Sequence, residues 1–428
     1  MESVPNARQA FFPLDEELGL QAGSLTPLQL EHVVHLALWM PFGKAVKLLG
    51  DVTGVQISEP TARRQTEKAG AAYEAVQNEQ ASQLAEGRKK KSVGCSSEPK
   101  KSKTEEAETK LLISSDGAMV RLVGGVFAEI KTVIIGQVQT KEKRCKERPE
   151  QQVETVNLSS FSRLTDSDTF GKLATVETER RGVGLAKEVC AVQDGAEWIR
   201  GFVDLHRPDA MRILDFAHAR GYLSDIAELV RDAGTNLPSD WLDKQSHNLK
   251  HHGPTGVLKQ VGLLLEKHPG VPELDTKVNY LCKREQQMQY PLYQQLGWPL
   301  GSGSVESANK YVVQARLKGA GMQWERSHVN PMLALRTQVC HDRWDEAWLL
   351  ACKQRGQQQM QQRILRQENR RDQALQKLQQ LVLRIVLLAS PARPKPAPPK
   401  PVSCSSAPTA SHRPAPNHPW RRPLLAKK

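Results

Sequence analysis

Short apolar runs of β type that alternate with helical patterns restrict the fold of this chain more than any other feature. Such a run ends in an acidic residue in "LLISSDG", in "VCAVQDG" and in "MRILDF". Between the first two runs lie a predicted antiparallel partner strand, at about 125–139, and material for a third strand in "QVETVNLSSFSRL". Strands and helices that alternate after such a hairpin predict an α/β fold, with helices on both faces of a mixed sheet.

The acidic residues that follow these runs are the first candidates for a functional site. Asp116 and Asp194 each precede a glycine, and Asp215 leads into a predicted helix. One Asp at a strand end is usually a turn or cap residue. Three in one domain favour a ligand site, because open α/β sheets bind ligands at strand ends and neighbouring carboxylates repel unless a cation neutralises them. Their hard oxygen atoms suit Mg²⁺.

A fourth acidic candidate lies in "GSGSVESANKYVVQARLKG". The small residues lead into a predicted helix from about Val305 that carries Glu306 in its first turn. A Glu there also gains from the helix dipole, which is the structural alternative. With Arg316 and Lys318 two to three turns later, the pattern predicts a carboxylate that faces the strand-end Asp residues, and cations that hold phosphates.

The amino-terminal region, residues 1–86, is predicted to be helical and to contain a helix-turn-helix. A short helix at Phe42–Leu49 and a turn at 50–57 precede a second helix that Ser58 caps. Four residues near its start are predicted to contact DNA: Thr61, Arg63, Arg64 and Lys68. The alternative is a plain helical hairpin, but 60 Lys and Arg residues against 47 Asp and Glu, a net charge of +13, favour a polyanionic partner.

The remaining segments have biased compositions. Residues 87–110 are predicted to be a charged linker, 351–388 a Gln/Arg-rich helix, and 389–428 a disordered, basic, proline-rich tail. No apolar run approaches the roughly 20 residues of a membrane span, and the first residues do not have the pattern of a signal peptide. Seven cysteines without a CxxC pair fit a reducing compartment. We therefore expect a cytoplasmic protein associated with the nucleoid.

Several segments together resemble one family of proteins. "DGAMV", "AVQDGAEWI", "ILDFAHA", "GSGSVESANKYVVQARLKGAGMQW" and "HVNPMLALRTQVCHDRWDEAW" are similar to the ISKra-type transposases of bacterial insertion sequences, over most of residues 20–350. The resemblance implies an RNase H-like catalytic domain at 111–350 with a helical insertion at about 219–297. It also implies an Asp-Asp-Glu triad, which maps to Asp116, Asp194 and Glu306.

A more distant resemblance to Mutator-like transposases concerns "ILDFAHA". Those relatives carry a Cys or Asp, two further residues and a His after their second catalytic Asp, and Asp215 and His218 match this form. The resemblance implies that this pair forms an accessory corner of the active site. The alternative is that Asp215, rather than Asp194, is the second metal ligand.

The implied activity is transposition of DNA. Asp116 would bridge two Mg²⁺ ions, with Mn²⁺ able to substitute, and Asp194 and Glu306 would complete one ion each. The implied partners are the terminal repeats of the element, the target DNA and further copies of the chain. Arg316 and Lys318 would hold phosphates, and Trp324 would either stack on a base or belong to the core. The alternatives are a nuclease without strand transfer and an inactive DNA-binding regulator.

Overall fold

The first strand of the chain lies in the middle of a five-stranded sheet. β1 (Lys110–Arg121) pairs antiparallel with β2 (Phe127–Arg144), which pairs antiparallel with β3 (Pro149–Arg163). On its other side β1 pairs in parallel with β4 (Glu188–Gln193), which pairs in parallel with β5 (Met211–Leu214). The order is therefore β3-β2-β1-β4-β5. This is a computed structural model, and it describes residues 25–93, 110–144 and 149–389.

Helices cover both faces of the sheet, as the sequence predicts. Among the described residues, three helices precede the sheet: α1 (Pro27–Trp39), α2 (Phe42–Thr53) and α3 (Glu59–Val93). Two lie between strands: α4 (Ser167–Arg180) and α5 (Glu197–His206). After β5 come α6 (Phe216–Asp232), α7 (Trp241–His252), α8 (Pro254–Lys267), α9 (Pro272–Cys282) and α10 (Tyr290–Gln295). The last elements are α11 (Gly303–Ala308), a π-helical segment (Asn309–Gln314), α12 (Ala315–Leu317), α13 (Arg326–Val339) and α14 (Trp344–Ala389).

The central strands are apolar on both faces, which explains their continuous apolar runs. Successive side chains of a strand point to opposite sides of the sheet. On β1, Leu112 packs with the helices of the insertion, whereas Leu111 and Ile113 pack with Phe170 of α4 and Phe202 of α5. Parallel strands that are buried in this way show little alternation of polar and apolar residues.

The amino-terminal helices share a core with the sheet. Leu38 of α1, Ala62 of α3, Val120 of β1 and Leu333 of α13 belong to one buried cluster. The helix-turn-helix elements therefore pack directly on the sheet and on α13. The described residues up to Gln362 accordingly form one compact unit.

Two of the predicted segments extend beyond the described residues. Helix α3 continues to Val93, inside the predicted linker of residues 87–110, and residues 94–109 lie outside the described part. The predicted Gln/Arg-rich helix falls within α14, which spans Trp344–Ala389. Residues 390–428 of the predicted tail lie outside the described part.

Among the described helices, none has both the length and the apolar character that crossing a bilayer requires.

A close contact between α3 and α13 gives a test of this shared core. A Cβ on Gly70 would lie 3.0 Å from the Cα of Pro331 and closer still to its carbonyl group, whereas a Cβ on Gly87 would meet nothing within 4 Å. Alanine in a helix interior is ordinarily more stable than glycine by about 0.5–1 kcal/mol. We expect Gly87→Ala to raise the free energy of unfolding by about that amount, and Gly70→Ala to lower it by about 1–3 kcal/mol. Urea unfolding measures both, and equal stabilisation by the two substitutions would contradict this packing.

Candidate active site at the sheet edge

Asp116 lies within β1 and not at its end. The prediction of a strand end at this residue was wrong, because β2 continues to pair with β1 as far as Arg121. The carboxylate is only partly exposed and accepts two hydrogen bonds. The backbone N–H of Gly117 donates to Oδ1 (2.7 Å), and the side-chain amide of Asn309 donates to Oδ2 (2.9 Å).

Asp194 lies close enough to Asp116 to affect its ionisation. Burial is the largest cause of a raised pKa for Asp116, and the negative charge of Asp194 raises it further. The hydrogen bonds from Gly117 and Asn309 and the nearby His218 act in the opposite direction. The structure thus brings together two of the predicted carboxylates, in an environment that disfavours a second negative charge.

The chain fixes Asp194 through the turn that follows β4. Its Oδ1 accepts a hydrogen bond from the backbone N–H of Ala196 (2.9 Å). Its carbonyl oxygen accepts a hydrogen bond from the Tyr280 hydroxyl, and Arg284 donates to the carbonyl of Gly195 (2.7 Å). Sequence analysis missed both of these insertion residues as part of the site.

Glu306 lies on α11, whose Val305 and Ala308 pack against Ile134 of β2. Its side chain is exposed, and the Ser302 hydroxyl donates to its Oε1 over 3.3 Å. Asn309 follows three residues later, and residues at this spacing share one side of a helix. α11 also contacts β1, and Asn309, directly after α11, contacts Asp116.

Asn309 is a site residue that the sequence analysis did not single out. Its side chain is 2% exposed, and its Oδ1 has no hydrogen-bond partner among the described residues. The sequence signal was its spacing from Glu306, but an Asn in a helical run has many ordinary explanations. Its place beside Asp116 becomes visible only in three dimensions.

The structure gives Asp215 a role in holding the backbone. Asp215 is 1% exposed, and its Oδ1 accepts a hydrogen bond from the backbone N–H of His218 (2.8 Å), which caps α6. The backbone N–H of Ser302 donates to Oδ2, which fixes the loop before α11. Asp215 thus contacts the backbone of His218 and not its imidazole, and both of its carboxylate oxygens accept hydrogen bonds from backbone N–H groups.

The imidazole of His218 is exposed and lines an open cleft with Glu306. The cleft has a volume of about 410 Å³, and its wall also includes Tyr222, Asp225 and Lys277. His218 and Glu306 thus line one cleft, and His218 is also near enough to Asp116 to lower the pKa of that carboxyl group.

Two of the predicted DNA contacts belong to the core. Arg316 is 2% exposed; its Nε donates to the carbonyl of Ala37 (2.7 Å), and its guanidinium lies over the rings of Phe42 and Trp324. Trp324 is 6% exposed and donates to the carbonyl of Leu317 (3.2 Å). The prediction that Arg316 contacts DNA is wrong, because its side chain does not reach the surface; of the two alternatives for Trp324, a base contact and a place in the core, the structure shows the core. Lys318 is exposed.

The predicted helix-turn-helix elements are present as α2, a short turn and α3. Ser58 accepts hydrogen bonds from the first N–H groups of α3, and its hydroxyl bonds with that of Thr61 (2.9 Å). Arg63, Arg64 and Lys68 are exposed on the first turns of α3. Arg64 donates to the Thr61 hydroxyl (3.2 Å), so Thr61 is held by its neighbours in the helix.

The donor set around Asp116 suits a hard cation. The carboxylates of Asp116 and Asp194 and the unpartnered Oδ1 of Asn309 are all oxygen donors, which Mg²⁺ prefers. Among the described residues, no three His, Cys, Asp or Glu side chains form a group that could hold a metal ion as they stand. The charge of Asp194 acts on Asp116, whereas Glu306 is bonded to Ser302 and would join these two carboxylates only by turning away from it.

Comparison with models of known protein families gives no match to this sequence, and comparison with curated proteins gives none either. The resemblance to ISKra-type transposases accordingly rests on the quoted segments.

The backbone role of Asp215 gives a second testable prediction. In Asp215→Asn only one side-chain oxygen remains, so it can accept a hydrogen bond from only one of the two backbone N–H groups, those of His218 and Ser302. The new NH₂ group faces the second N–H group, which is left without an acceptor. We expect the free energy of unfolding to fall by about 1–3 kcal/mol, the cost of an unsatisfied buried donor.

Asp166→Asn is the matched control, because Asp166 also caps a helix, with one bond to the backbone N–H of Thr169 (2.9 Å), but is exposed. Asn caps helices about as well as Asp. A control variant that loses as much stability as Asp215→Asn in urea unfolding would contradict the anchoring role.

Proposed function

We propose that this protein is a DDE transposase that binds the ends of an insertion sequence and catalyses DNA cleavage and strand transfer. One observation carries the proposal: β1 and β4 pair in parallel as far as Ser114 and Val192, so Asp116 and Asp194 each lie two residues beyond the last paired position of neighbouring strands. The negative charge of Asp194 accordingly raises the pKa of Asp116. The helix that carries Glu306 is joined to Asp116 through Asn309. The proposal assigns Glu306, on the helix that precedes Asn309, to the same site as these two carboxylates.

We propose an RNase H-like fold for the catalytic domain. Its support is a mixed sheet whose antiparallel hairpin is followed by two strands parallel to the first. A helical segment from α6 to α10 separates β5 from the helix of Glu306, where the resemblance implies an insertion.

Asp116, Asp194 and Glu306 would hold Mg²⁺, and Mn²⁺ would substitute for it. When bound, two such ions supply an activated water and stabilise the oxygen that leaves a phosphodiester. The protein supplies orientation: Gly117 and Asn309 fix the carboxylate of Asp116, and Ala196 fixes that of Asp194. Lys318, which is exposed after α12, would contact a phosphate of the bound strand.

Binding to DNA is supported by charge and by the exposed start of α3. The net charge of +13 favours a polyanionic partner, and Arg63, Arg64 and Lys68 present cations to solvent where a helix-turn-helix meets DNA. Synapsis of two element ends requires more than one copy of the chain, so we propose a homo-oligomer on DNA, located at the nucleoid.

The proposal predicts separate losses of chemistry and of binding. Asp116→Asn keeps the size of the side chain but removes the charge that would hold both ions, so cleavage of element ends should fall below a few per cent of the wild-type rate while end binding is unchanged. Asp243→Asn, an exposed carboxylate of the insertion, is the control and should leave cleavage intact. Substantial cleavage by Asp116→Asn would refute the proposed site, and cleavage by the wild type without joining of a labelled 3′ end would favour a nuclease.

A further prediction concerns the helix-turn-helix. Arg63→Ala with Arg64→Ala should weaken binding of end DNA and reduce the slope of log affinity against log salt by about 0.9 for each phosphate that is no longer neutralised. Lys187→Ala with Arg200→Ala removes two other exposed cations and should change the slope less. Equal effects of the two pairs in fluorescence anisotropy titrations would point to non-specific attraction and against a DNA contact at α3.

A further inference from the structure

We infer that Tyr280 and Arg284, two residues of the helical insertion, are positioning residues for the carboxylate of Asp194. The inference rests on the proposed function, because it gives Asp194 the role of a metal ligand. Neither side chain touches the carboxylate itself. Both act on the backbone of the turn that carries it.

The first observation is a pair of hydrogen bonds to consecutive carbonyl groups. The Tyr280 hydroxyl donates to the carbonyl oxygen of Asp194, and Nη2 of Arg284 donates to that of Gly195 over 2.7 Å. The donors come from the end of α9 and the residues after it, more than 80 positions further along the chain. The position of the catalytic turn therefore depends on the insertion as well as on β4.

The second observation is that Gly195 permits this close approach. Its φ of +85° lies in the region that favours glycine, and a Cβ there would lie 2.6 Å from Nε of Arg284 and would collide with the Tyr280 hydroxyl. The glycine after Asp194 thus has a local reason: it makes room for the two donors.

The third observation is a stack of side chains that holds the donors in place. The Arg284 guanidinium lies 3.7 Å from the centroid of the Tyr280 ring, which stacks on Tyr222 of α6 with centroids 3.9 Å apart and planes within 2°. The ammonium of Lys277 lies over the outer face of Tyr222, at 5.0 Å from its centroid.

The order of this stack has a physical reason. Two aromatic rings face to face repel through their quadrupoles, and a cation over a ring face is attracted to it. A cation at each end therefore compensates for the unfavourable ring pair. The result is a column, defined as Arg284, Tyr280, Tyr222 and Lys277, that joins α6 and α9 to the turn of Asp194.

The column also borders the cleft of the candidate site. Tyr222 and Lys277 line that cleft together with His218 and Glu306. A DNA strand that lies in the cleft would contact one end of the column, and the other end holds the turn of Asp194. Binding of DNA in the cleft would therefore affect, through the column, the position of the Asp194 carboxylate.

The test compares two Tyr→Phe substitutions in the full-length protein. Tyr280→Phe removes the donor to Asp194. Tyr293→Phe is the matched control, because its hydroxyl also donates to backbone carbonyl groups, those of Gln286 (2.6 Å) and Arg212 (3.4 Å), neither of which belongs to the turn. The first readout is amide hydrogen exchange of residues 194–196. The second is the affinity for Mn²⁺, measured by electron paramagnetic resonance, and the third is the division of any cleavage defect between kcat and the KM for DNA.

We expect Tyr280→Phe to accelerate exchange at the turn and to weaken Mn²⁺ binding about 10-fold, the lower end of the range for partners that orient metal ligands. Cleavage should lose kcat with little change in KM, and Tyr293→Phe should change none of the three readouts. Arg284→Lys keeps the charge but loses the planar guanidinium that donates to the carbonyl of Gly195. We expect it to accelerate exchange and to weaken Mn²⁺ binding in the same way, so it provides the test should Tyr280→Phe fail to fold.

The outcomes separate the inference from the proposed function. Unchanged exchange of the turn amides in both Tyr280→Phe and Arg284→Lys overturns the inference, whatever the wild-type protein binds. If the turn amides exchange faster in the variants but the wild-type protein does not bind Mn²⁺, the contacts of Tyr280 and Arg284 with the turn are supported and the proposed metal site is overturned. An equal effect of Tyr293→Phe overturns the inference too, because it shows general loosening of the insertion.

Discussion

The site depends on one partly buried carboxylate, that of Asp116 on the central strand of the sheet, which requires hydrogen-bond donors from the residues around it. Burial disfavours the charged form of Asp116, so its oxygens need donors close at hand. Gly117 supplies one from the same strand, and Asn309 brings the other on the segment after α11. The other end of α11 is held at Ser302, whose backbone N–H donates to the buried Asp215. The chain of contacts from Asp215 to Asp116 explains why residues so far apart in the sequence belong to one site.

The second carboxylate is held in a different way. Asp194 follows β4 directly, so the parallel pairing of β4 with β1 brings it to the same edge of the sheet as Asp116. The turn after Asp194 contains Gly195, which has a positive φ. Because glycine adopts many backbone conformations, contacts from other parts of the chain are needed to hold this turn in a single conformation. Tyr280 and Arg284 of the insertion supply them. The end of α9 and the residues after it therefore belong to the surroundings of Asp194.

The sequence predicted the mixed sheet, its helices and the grouping of Asp116 with Asp194, because buried strands leave apolar runs that are easily found. It placed the end of β1 wrongly, since the polar "SSDG" resembles a turn although β2 pairs through it. It also placed Arg316 on the surface, and it left open whether Trp324 contacts a base or belongs to the core. A charged helical residue is usually exposed, and the acceptor that allows Arg316 to be buried is a backbone carbonyl 279 positions away. Contacts to distant carbonyls, including those of Tyr280 and Arg284, have no signature in the sequence.

The most direct test of the account is to locate the metal. Crystals of the protein grown with end DNA and Mn²⁺, measured near the manganese absorption edge, should show an anomalous peak about 2.1 Å from carboxylate oxygens of both Asp116 and Asp194. The side chain of Glu306 should have turned away from Ser302 toward that peak. A well-ordered complex with no peak beside Asp116, or with manganese bound only elsewhere, would contradict the proposal that these carboxylates form the active site.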